Sequence, residues 1–265
     1  MCDFLFEHKK KNKKVLKVKN TVSFLKNFAV LKRKLSLAKI IAVTGSAGKT
    51  SLKNLINELL QNFGKTCVSP KSFNNHLGVP ISLSNLSFED RFGIFEVGMS
   101  KAGEIRNLTR LIRPHIGVIT NIGEAHLENF RNINGIAKAK SEIIENIEAG
   151  GTIILNRDDK FFRYLYRKAL MYNLKILTYG KHKKADVCLK KIVKKGITSK
   201  IFISVQNKSI NFTIKDLNIY NVLSSIAVLK ELKVNISEIK SKFKKFELPD
   251  GRGKKYSISR YKKKF

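Results

Sequence analysis

Short apolar runs alternate with segments of helical periodicity over the first two thirds of the chain. The run from Ile40 to Val43 has no polar alternation, which predicts a strand buried on both faces. From Leu52 to Leu60, leucine and isoleucine recur at helical spacing, which predicts one buried helix face. Further strands are predicted at 65–69, 91–97, 116–122, 152–156 and 175–179, with helices between several of them. This alternation predicts an α/β fold of P-loop type, with a three-layer, mostly parallel sheet.

The pattern changes near both ends of the chain. Within residues 185–214, three partly alternating segments separated by KKG and QNK predict antiparallel strands that extend the sheet. Helical periodicity returns at 218–232 and 236–246, and a helix at 133–147 lies before the fifth predicted strand. Residues 21–37 predict an amphipathic helix ahead of the first strand. Its apolar side carries Val22, Leu25, Phe28 or Ala29, and Leu35.

The composition predicts a folded, strongly basic protein. The chain is 43% hydrophobic and carries a formal net charge of +33. Lysine supplies 42 of the positive residues and arginine only 11, although base and bidentate phosphate recognition favour arginine. The lysines are spread along the whole chain, so we interpret them as a background trend on solvated faces and expect no specific nucleic-acid partner.

The cysteines and the N-terminal segment indicate the cellular compartment of the protein. Cys2, Cys67 and Cys188 are scattered and form neither a metal-binding pair nor a disulfide framework, which favours a reducing environment. The first residues do not follow the pattern of a signal peptide, and no segment approaches the ~20 apolar residues of a spanning helix. We therefore expect a cytoplasmic protein without a membrane span.

A loop of small residues separates the first predicted strand from its helix. Glycines in such a loop let successive backbone N–H groups surround a phosphate, and the helix N-terminus adds partial positive charge. Lys49 is predicted to reach the β- and γ-phosphates of ATP, and Thr50 to bind Mg²⁺. A usual P-loop has a leading glycine where Val43 stands, and a chance glycine turn is the alternative. The predicted nucleotide-binding residues are Gly45, Ser46, Ala47, Gly48, Lys49, Thr50 and Ser51.

The loop sequence T-G-S-x-G-K-T-S resembles the ATP loop of the Mur ligase family, which builds the peptide of bacterial cell-wall precursors. On spacing alone, Asn74 and Asn75 belong to an ordinary loop. Their sequence N-N-x-x-G-V-P resembles the segment found in the family members that add D-alanyl-D-alanine. The resemblance implies that Asn74 and Asn75 bind substrate, and it disfavours folylpolyglutamate synthetase, a relative with similar chemistry.

Residues at or beyond the ends of predicted strands are candidates for metal binding. Glu96 ends a buried strand, where a carboxylate needs a cation, so it is either the Mg²⁺ partner of Thr50 or one half of a buried ion pair. E-V-G-M resembles the family's metal-binding strand end, and N-I-G-x-A-H-L resembles the motif whose histidine, here His126, binds a second Mg²⁺. Lys140 matches a lysine that is commonly carbamylated in Mur ligases. Without the resemblance, His126 would be a loop histidine and Lys140 a solvent lysine.

The resemblance extends from about Val18 to Gly253. The helix at 218–232 resembles the one that lies near the adenine, which implies an adenine contact for Asn221 although Tyr220 replaces the usual histidine. The resemblance also implies three parts of the chain. Residues 1–38 would be a lead-in and remnant of an N-terminal domain, 39–253 the central ATP-binding domain, and 254–265 the start of a missing C-terminal domain.

The function implied by the resemblance is ATP-dependent amide-bond ligation in peptidoglycan synthesis, and hence in cell-wall biogenesis, cell shape and division. The substrates would be UDP-MurNAc-tripeptide and D-alanyl-D-alanine, joined through an acyl phosphate, with two Mg²⁺ ions. Lys49, His126 and Lys140 would take part in catalysis. The alternative is a truncated nucleotide-binding domain without ligase activity of its own, which needs partner chains to supply the missing domains. A basic nucleic-acid-binding protein is a third possibility, with no motif beyond charge.

Overall fold

A computed structural model of the chain describes residues 17–125 and 127–248. Its strands form one sheet in the order β2-β3-β1-β4-β5-β6-β7-β8-β9. Every neighbouring pair from β2 to β7 is parallel, and β8 and β9 continue the sheet in antiparallel pairing. The predicted mostly parallel sheet with an antiparallel extension is therefore confirmed. The strands are β1 (Lys39–Thr44), β2 (Thr66–Val68), β3 (Phe92–Glu96), β4 (Ile116–Ile119), β5 (Thr152–Asn156), β6 (Lys175–Gly180), β7 (Val187–Lys195), β8 (Thr198–Val205) and β9 (Lys208–Lys215).

Helices cover both faces of the sheet and bury one apolar cluster on each side. The helices are α1 (Thr21–Leu35), α2 (Lys49–Leu60), α3 (Gly78–Ser84), α4 (Glu104–Ile112), α5 (Ile133–Lys140), α6 (Phe162–Met171), α7 (Ile219–Glu231) and α8 (Lys240–Lys245). Side chains of α2, α7 and α8 pack on one face, and those of α1, α3, α4, α5 and α6 pack on the other. The helix predicted at 133–147 is divided, because α5 ends at Lys140 and a 3-10 helix (Ser141–Asn146) continues it. The molecule thus has the three layers expected from the sequence.

Strand β1 lies at the point where the strand order reverses. It pairs with β3 on one side and with β4 on the other, and all three strands run in the same direction. Ligands of open α/β sheets bind beyond the carboxyl ends of the strands at such a reversal. The segments that follow β1, β3 and β4 therefore meet where a ligand is expected.

The predicted packed side of α1 is correct only in part. Ala29, the alternative to Phe28 on that side, is buried and Leu25 is half-buried, but Val22, Phe28 and Leu35 are exposed. Arg33, which the sequence analysis did not assign to this side, is buried as well. Arg33 is buried because its guanidinium donates to the carbonyl oxygens of Ile112 and Arg113, both at 2.7 Å, where α4 ends. The last carbonyls of a helix lack partners within the helix, and these two receive theirs from Arg33. Along 17–125 and 127–248, no helix has both the length and the apolar character needed to cross a membrane.

Candidate functional site

The loop after β1 ends at the start of α2 in the manner expected for a phosphate-binding loop. Gly45 and Gly48 have φ values of 147° and 82°, which side-chain-bearing residues rarely adopt. A Cβ on Gly45 would lie 1.8 Å from Thr120 Oγ1, so no larger residue fits there. Gly48 precedes the first turn of α2, and among the described residues no side chain caps that turn. The N-terminus of α2 therefore offers backbone N–H groups and partial positive charge to an anion.

The segment after β4 holds this loop in place. The backbone N–H groups of Ser46 and Ala47 donate to the carbonyl and side-chain oxygens of Asn121, at 3.0 Å and 2.9 Å. The Thr120 hydroxyl donates to the Ala47 carbonyl at 2.6 Å. The Ser46 hydroxyl donates to the carbonyl oxygen of Gly123 and accepts from its N–H. The sequence analysis missed Thr120 and Asn121, because it predicted a strand through residue 122 whereas β4 ends at Ile119.

Thr50 and Glu96 lie together, as the sequence analysis expected. The Thr50 hydroxyl donates to Glu96 Oε2 at 2.8 Å, and the Asn74 amide donates to Glu96 Oε1 at 2.8 Å. Lys53 Nζ is 3.8 Å from Glu96 Oε2, so the buried ion pair considered as the alternative is present as well. Hydroxyl and carboxylate oxygens are ligands that Mg²⁺ prefers, so this pair fits the ion. No group of three or more histidine, cysteine, aspartate or glutamate side chains suited to a metal occurs within residues 17–125 and 127–248.

A cavity of about 760 Å³ adjoins the glycine loop and is lined by Lys49, Asn74, Asn75 and Lys140, among others. Lys49 Nζ donates to the Gly45 carbonyl at 2.9 Å, which places its ammonium at the loop. Asn75 Oδ1 accepts from the Gly78 N–H at 2.9 Å and so caps the start of α3. The structure thus brings together four of the residues predicted for the nucleotide, metal and substrate.

Lys140 is buried at the C-terminal end of α5, with 2% of its surface exposed, although its residue type is usually solvated. Burial, and then the positive charge of Lys49, lower the pKa of Lys140 to about 7. A substantial fraction of this side chain is therefore a neutral amine near neutral pH. Lys140 is therefore not the solvated surface lysine that its sequence position alone suggested.

The remaining predicted site residues are placed as follows. Asn221, in the first turn of α7, lies against the glycine loop, since its Oδ1 would be 2.8 Å from a Cβ on Gly48. Ser51 lies in the first turn of α2. His126 lies outside the described residues, as do Pro249 and the residues after it. The second metal site predicted at His126 therefore stays a prediction.

Comparison with known proteins gives consistent matches. The model of the Mur ligase middle domain matches residues 43–229. The UDP-N-acetylmuramoyl-tripeptide–D-alanyl-D-alanine ligase of Rickettsia prowazekii (strain Madrid E) is 33% identical over 253 residues, covering 92% of this chain and 56% of the relative. A crystal structure of MurF from Acinetobacter baumannii has a TM-score of 0.85 at 26% identity, covering 94% of this chain and 56% of that one.

A MurF ligase from Thermotoga maritima, solved in complex with ADP, shares the fold with a TM-score of 0.81 at 23% identity. This match covers 96% of our chain and 59% of that one. The chain spans about half the length of the curated relatives it matches.

Proposed function

The chain belongs to the Mur ligase family, and on that premise we propose that it binds Mg-ATP as part of a cytoplasmic ligase that joins D-alanyl-D-alanine to UDP-MurNAc-tripeptide. The 2.8 Å hydrogen bond between Thr50 and Glu96, directly beside an uncapped glycine-loop helix, carries this proposal. It joins the start of α2, the helix after β1, to the end of β3 at the reversal of strand order, where a nucleotide and its metal ion would lie. The relatives named as this ligase supply the substrate class.

The proposed roles follow from the chemistry of each side chain. Lys49 and the first-turn amides of α2 would bind the β- and γ-phosphates of ATP, and Asn221 would contact the adenine. Thr50 and Glu96 would hold one Mg²⁺, and His126 a second. Bound Mg²⁺ would neutralise charge on the transferring phosphoryl group. Asn74 and Asn75, which line the adjoining cavity, would contact the peptide substrate.

The reaction is two transfers at one carboxyl group. The carboxylate at the end of the tripeptide attacks the γ-phosphorus of ATP, which releases ADP and leaves an acyl phosphate. The amine of D-alanyl-D-alanine then attacks the acyl carbon, phosphate departs, and the amine loses a proton to give the amide. In both steps Lys49 would stabilise negative charge by position rather than by bond making.

The proposed metal role of Glu96 is tested by Glu96→Gln, which keeps the shape of the side chain and removes its charge. Calorimetric titration of the wild type with ATP should show saturable binding that added Mg²⁺ strengthens. In Glu96→Gln we expect the increase in ATP affinity caused by Mg²⁺ to be about tenfold smaller, because a carboxylate binds a hard cation more strongly than an amide does. Binding of ATP without Mg²⁺ should be retained. Glu89→Gln, at an exposed carboxylate paired with Lys65, is the matched control and should behave as the wild type. An equal gain from Mg²⁺ in Glu96→Gln would refute the assignment.

We propose further that Lys140 reacts with carbon dioxide. Its neutral amine would attack the carbon of CO₂ and release a proton, which leaves a carbamate with two oxygen ligands for a metal. Because burial lowers the pKa of Lys140 to about 7, the neutral form grows as the pH rises through that value. We expect a ¹³C NMR carbamate signal from labelled bicarbonate that is weak at about pH 6 and strong at about pH 8.

The matched control for this experiment is the exposed Lys138, two residues earlier on α5. The signal should vanish in Lys140→Arg, because the guanidinium stays protonated, and persist in Lys138→Arg. A signal that survives in Lys140→Arg would place the carbamate on another amine and exclude this role for Lys140.

A further inference from the structure

Lys53 is a fully buried lysine that the roles above do not use. It lies on α2 one turn after Lys49, and 0% of its surface is exposed. Burial of an ammonium is costly unless charged or polar partners surround it. Lys53 is not among the described residues that line the cavity, so any influence on ligands would act through its partners.

Two hydrogen-bond partners of Lys53 lie in the segment that follows β2, which we call the asparagine loop (residues 69–75). Lys53 Nζ donates to the carbonyl oxygen of Ser69 at 2.7 Å and to that of Lys71. Lys71 has a φ of 42°, a backbone conformation that is uncommon outside glycine. The ammonium therefore donates to two carbonyl oxygens of a loop in which Lys71 has an unfavourable backbone conformation, and it joins this loop to α2.

The same loop wraps around the end of β3. The Glu96 N–H donates to the Ser69 hydroxyl at 3.1 Å, and the Gly98 N–H donates to the Asn74 carbonyl at 2.8 Å. The Asn74 amide donates to Glu96 Oε1, and Thr50 donates to the other oxygen. The orientation of the Glu96 carboxylate thus depends on the course of the asparagine loop.

From these contacts we propose that Lys53 is a positioning residue. Its buried ammonium fixes the asparagine loop onto α2 and thereby holds Asn74 and Glu96 opposite the glycine loop. One residue would link the helix that starts at the phosphates to the loop that carries the substrate-facing asparagines. The effect on Mg-ATP rests on the proposed function, whereas the effect on the loop does not.

Two simpler roles for Lys53 make different predictions. If it were only the counter-charge of Glu96, its removal would strengthen Mg²⁺ binding, because an ammonium 3.8 Å from the carboxylate repels the metal ion. If it only stabilised the fold, its loss would lower stability without altering the loop or the affinity of the folded protein. Positioning predicts a more mobile loop and weaker Mg-ATP binding.

The test is Lys53→Met, which replaces the aliphatic part of the side chain with one of similar length and removes the ammonium. We expect at least tenfold faster hydrogen–deuterium exchange in the asparagine loop and about tenfold weaker Mg-ATP binding. Binding of ATP without Mg²⁺ should stay within twofold of the wild type. In the Glu96→Gln background, Lys53→Met should add little to the loss, because both changes act on one carboxylate. If Lys53→Met does not fold, Lys53→Gln, which keeps two N–H donors, replaces it in the same measurements. We then expect smaller changes in the same directions, namely faster exchange in the asparagine loop and weaker Mg-ATP binding.

The matched control is Lys242→Met on α8. Lys242 Nζ also donates to a backbone carbonyl of α2, that of Glu58 at 2.7 Å, but at the opposite end of the helix from the glycine loop. It should lower stability without changing exchange in the asparagine loop or the affinity for Mg-ATP. Unchanged exchange in Lys53→Met, or tighter Mg-ATP binding, would overturn the positioning role. A wild type that does not bind Mg-ATP would contradict the proposed function instead, and the exchange measurement would still decide the role of Lys53.

Discussion

Replacing Lys49 by alanine is expected to weaken Mg-ATP binding at least ~100-fold, which corresponds to about 2.7 kcal/mol. The Lys49 ammonium lies 2.9 Å from the Gly45 carbonyl, within the loop that the phosphates would enter. Hydrogen bonds between ionised groups are roughly twice as strong as neutral ones, and the N-terminus of α2 adds to the same field. Isothermal titration calorimetry at physiological salt should therefore detect no saturable binding by Lys49→Ala.

The salt concentration matters in this experiment because the chain carries a net charge of +33. A polyanion such as ATP will associate weakly with many lysines, and that association should collapse as salt is added. Lys101→Ala removes an equal charge from an exposed position and should leave the affinity within about twofold of the wild type, as expected for one screened surface charge. Unchanged affinity in Lys49→Ala would refute the assignment of the glycine loop.

The contact between Thr50 and Glu96 could be predicted because each residue occupies a defined end of an element. Glu96 ends a strand and Thr50 begins a helix, and parallel strands bring such ends to one edge of the sheet. The resemblance to the family indicated the same two positions. Local pattern and one topological rule were sufficient for this part of the site.

Lys53 and Asn121 could not be found in the same way. Helical periodicity on α2 treats a lysine as solvent-facing, and the carbonyls that surround Lys53 belong to a loop 16 to 18 residues away. The strand predicted to extend to residue 122 ends at Ile119, which leaves Asn121 available to receive the glycine loop. Both roles depend on how loops return to the sheet, and the spacing of residues along the chain does not encode that path.

The exposure of Val22, Phe28 and Leu35 on α1 has a similar cause. The sequence pattern counts apolar positions, but the helix packs through Ala29, which allows close approach, and through Arg33. Arg33 donates hydrogen bonds to two carbonyl oxygens at the end of α4, a contact that hydrophobic periodicity does not indicate. Periodicity of hydrophobic residues fixes the existence of a helix more securely than the direction of its packed face.

The charge of the cavity complements the proposed substrates. Lys26, Lys49 and Lys140 all line it, and the ligands proposed for it carry phosphates and carboxylates. Because burial lowers the pKa of Lys140 to about 7, the three lysines of the cavity carry less than three positive charges near neutral pH. Carbamylation of Lys140 would change its charge from positive to negative, which would favour a metal ion over a further phosphate.

The 265 residues tested by themselves should bind Mg-ATP but add D-alanyl-D-alanine at a negligible rate. The chain includes the residues proposed above for phosphoryl transfer, namely Lys49, Thr50, Glu96 and Lys140. This chain covers only 56% of the relative from Rickettsia prowazekii, and the rest of that relative lies outside the match. Correct orientation of two reactants can lower an activation barrier by ~7–11 kcal/mol. Loss of the contacts that orient the sugar nucleotide and the dipeptide amine should therefore reduce ligation far more than ATP binding.

The measurement is phosphate release with UDP-MurNAc-tripeptide and D-alanyl-D-alanine, with the whole Rickettsia prowazekii ligase as positive control. Adding the remaining part of that ligase as a separate chain should restore turnover to our chain, and the same addition to Lys49→Ala should not. A lack of turnover with Lys49→Ala would show that the restored activity depends on the glycine loop and does not come from a contaminant. Turnover by the 265 residues alone near that of the control would refute the prediction, because it would require them to orient both substrates themselves.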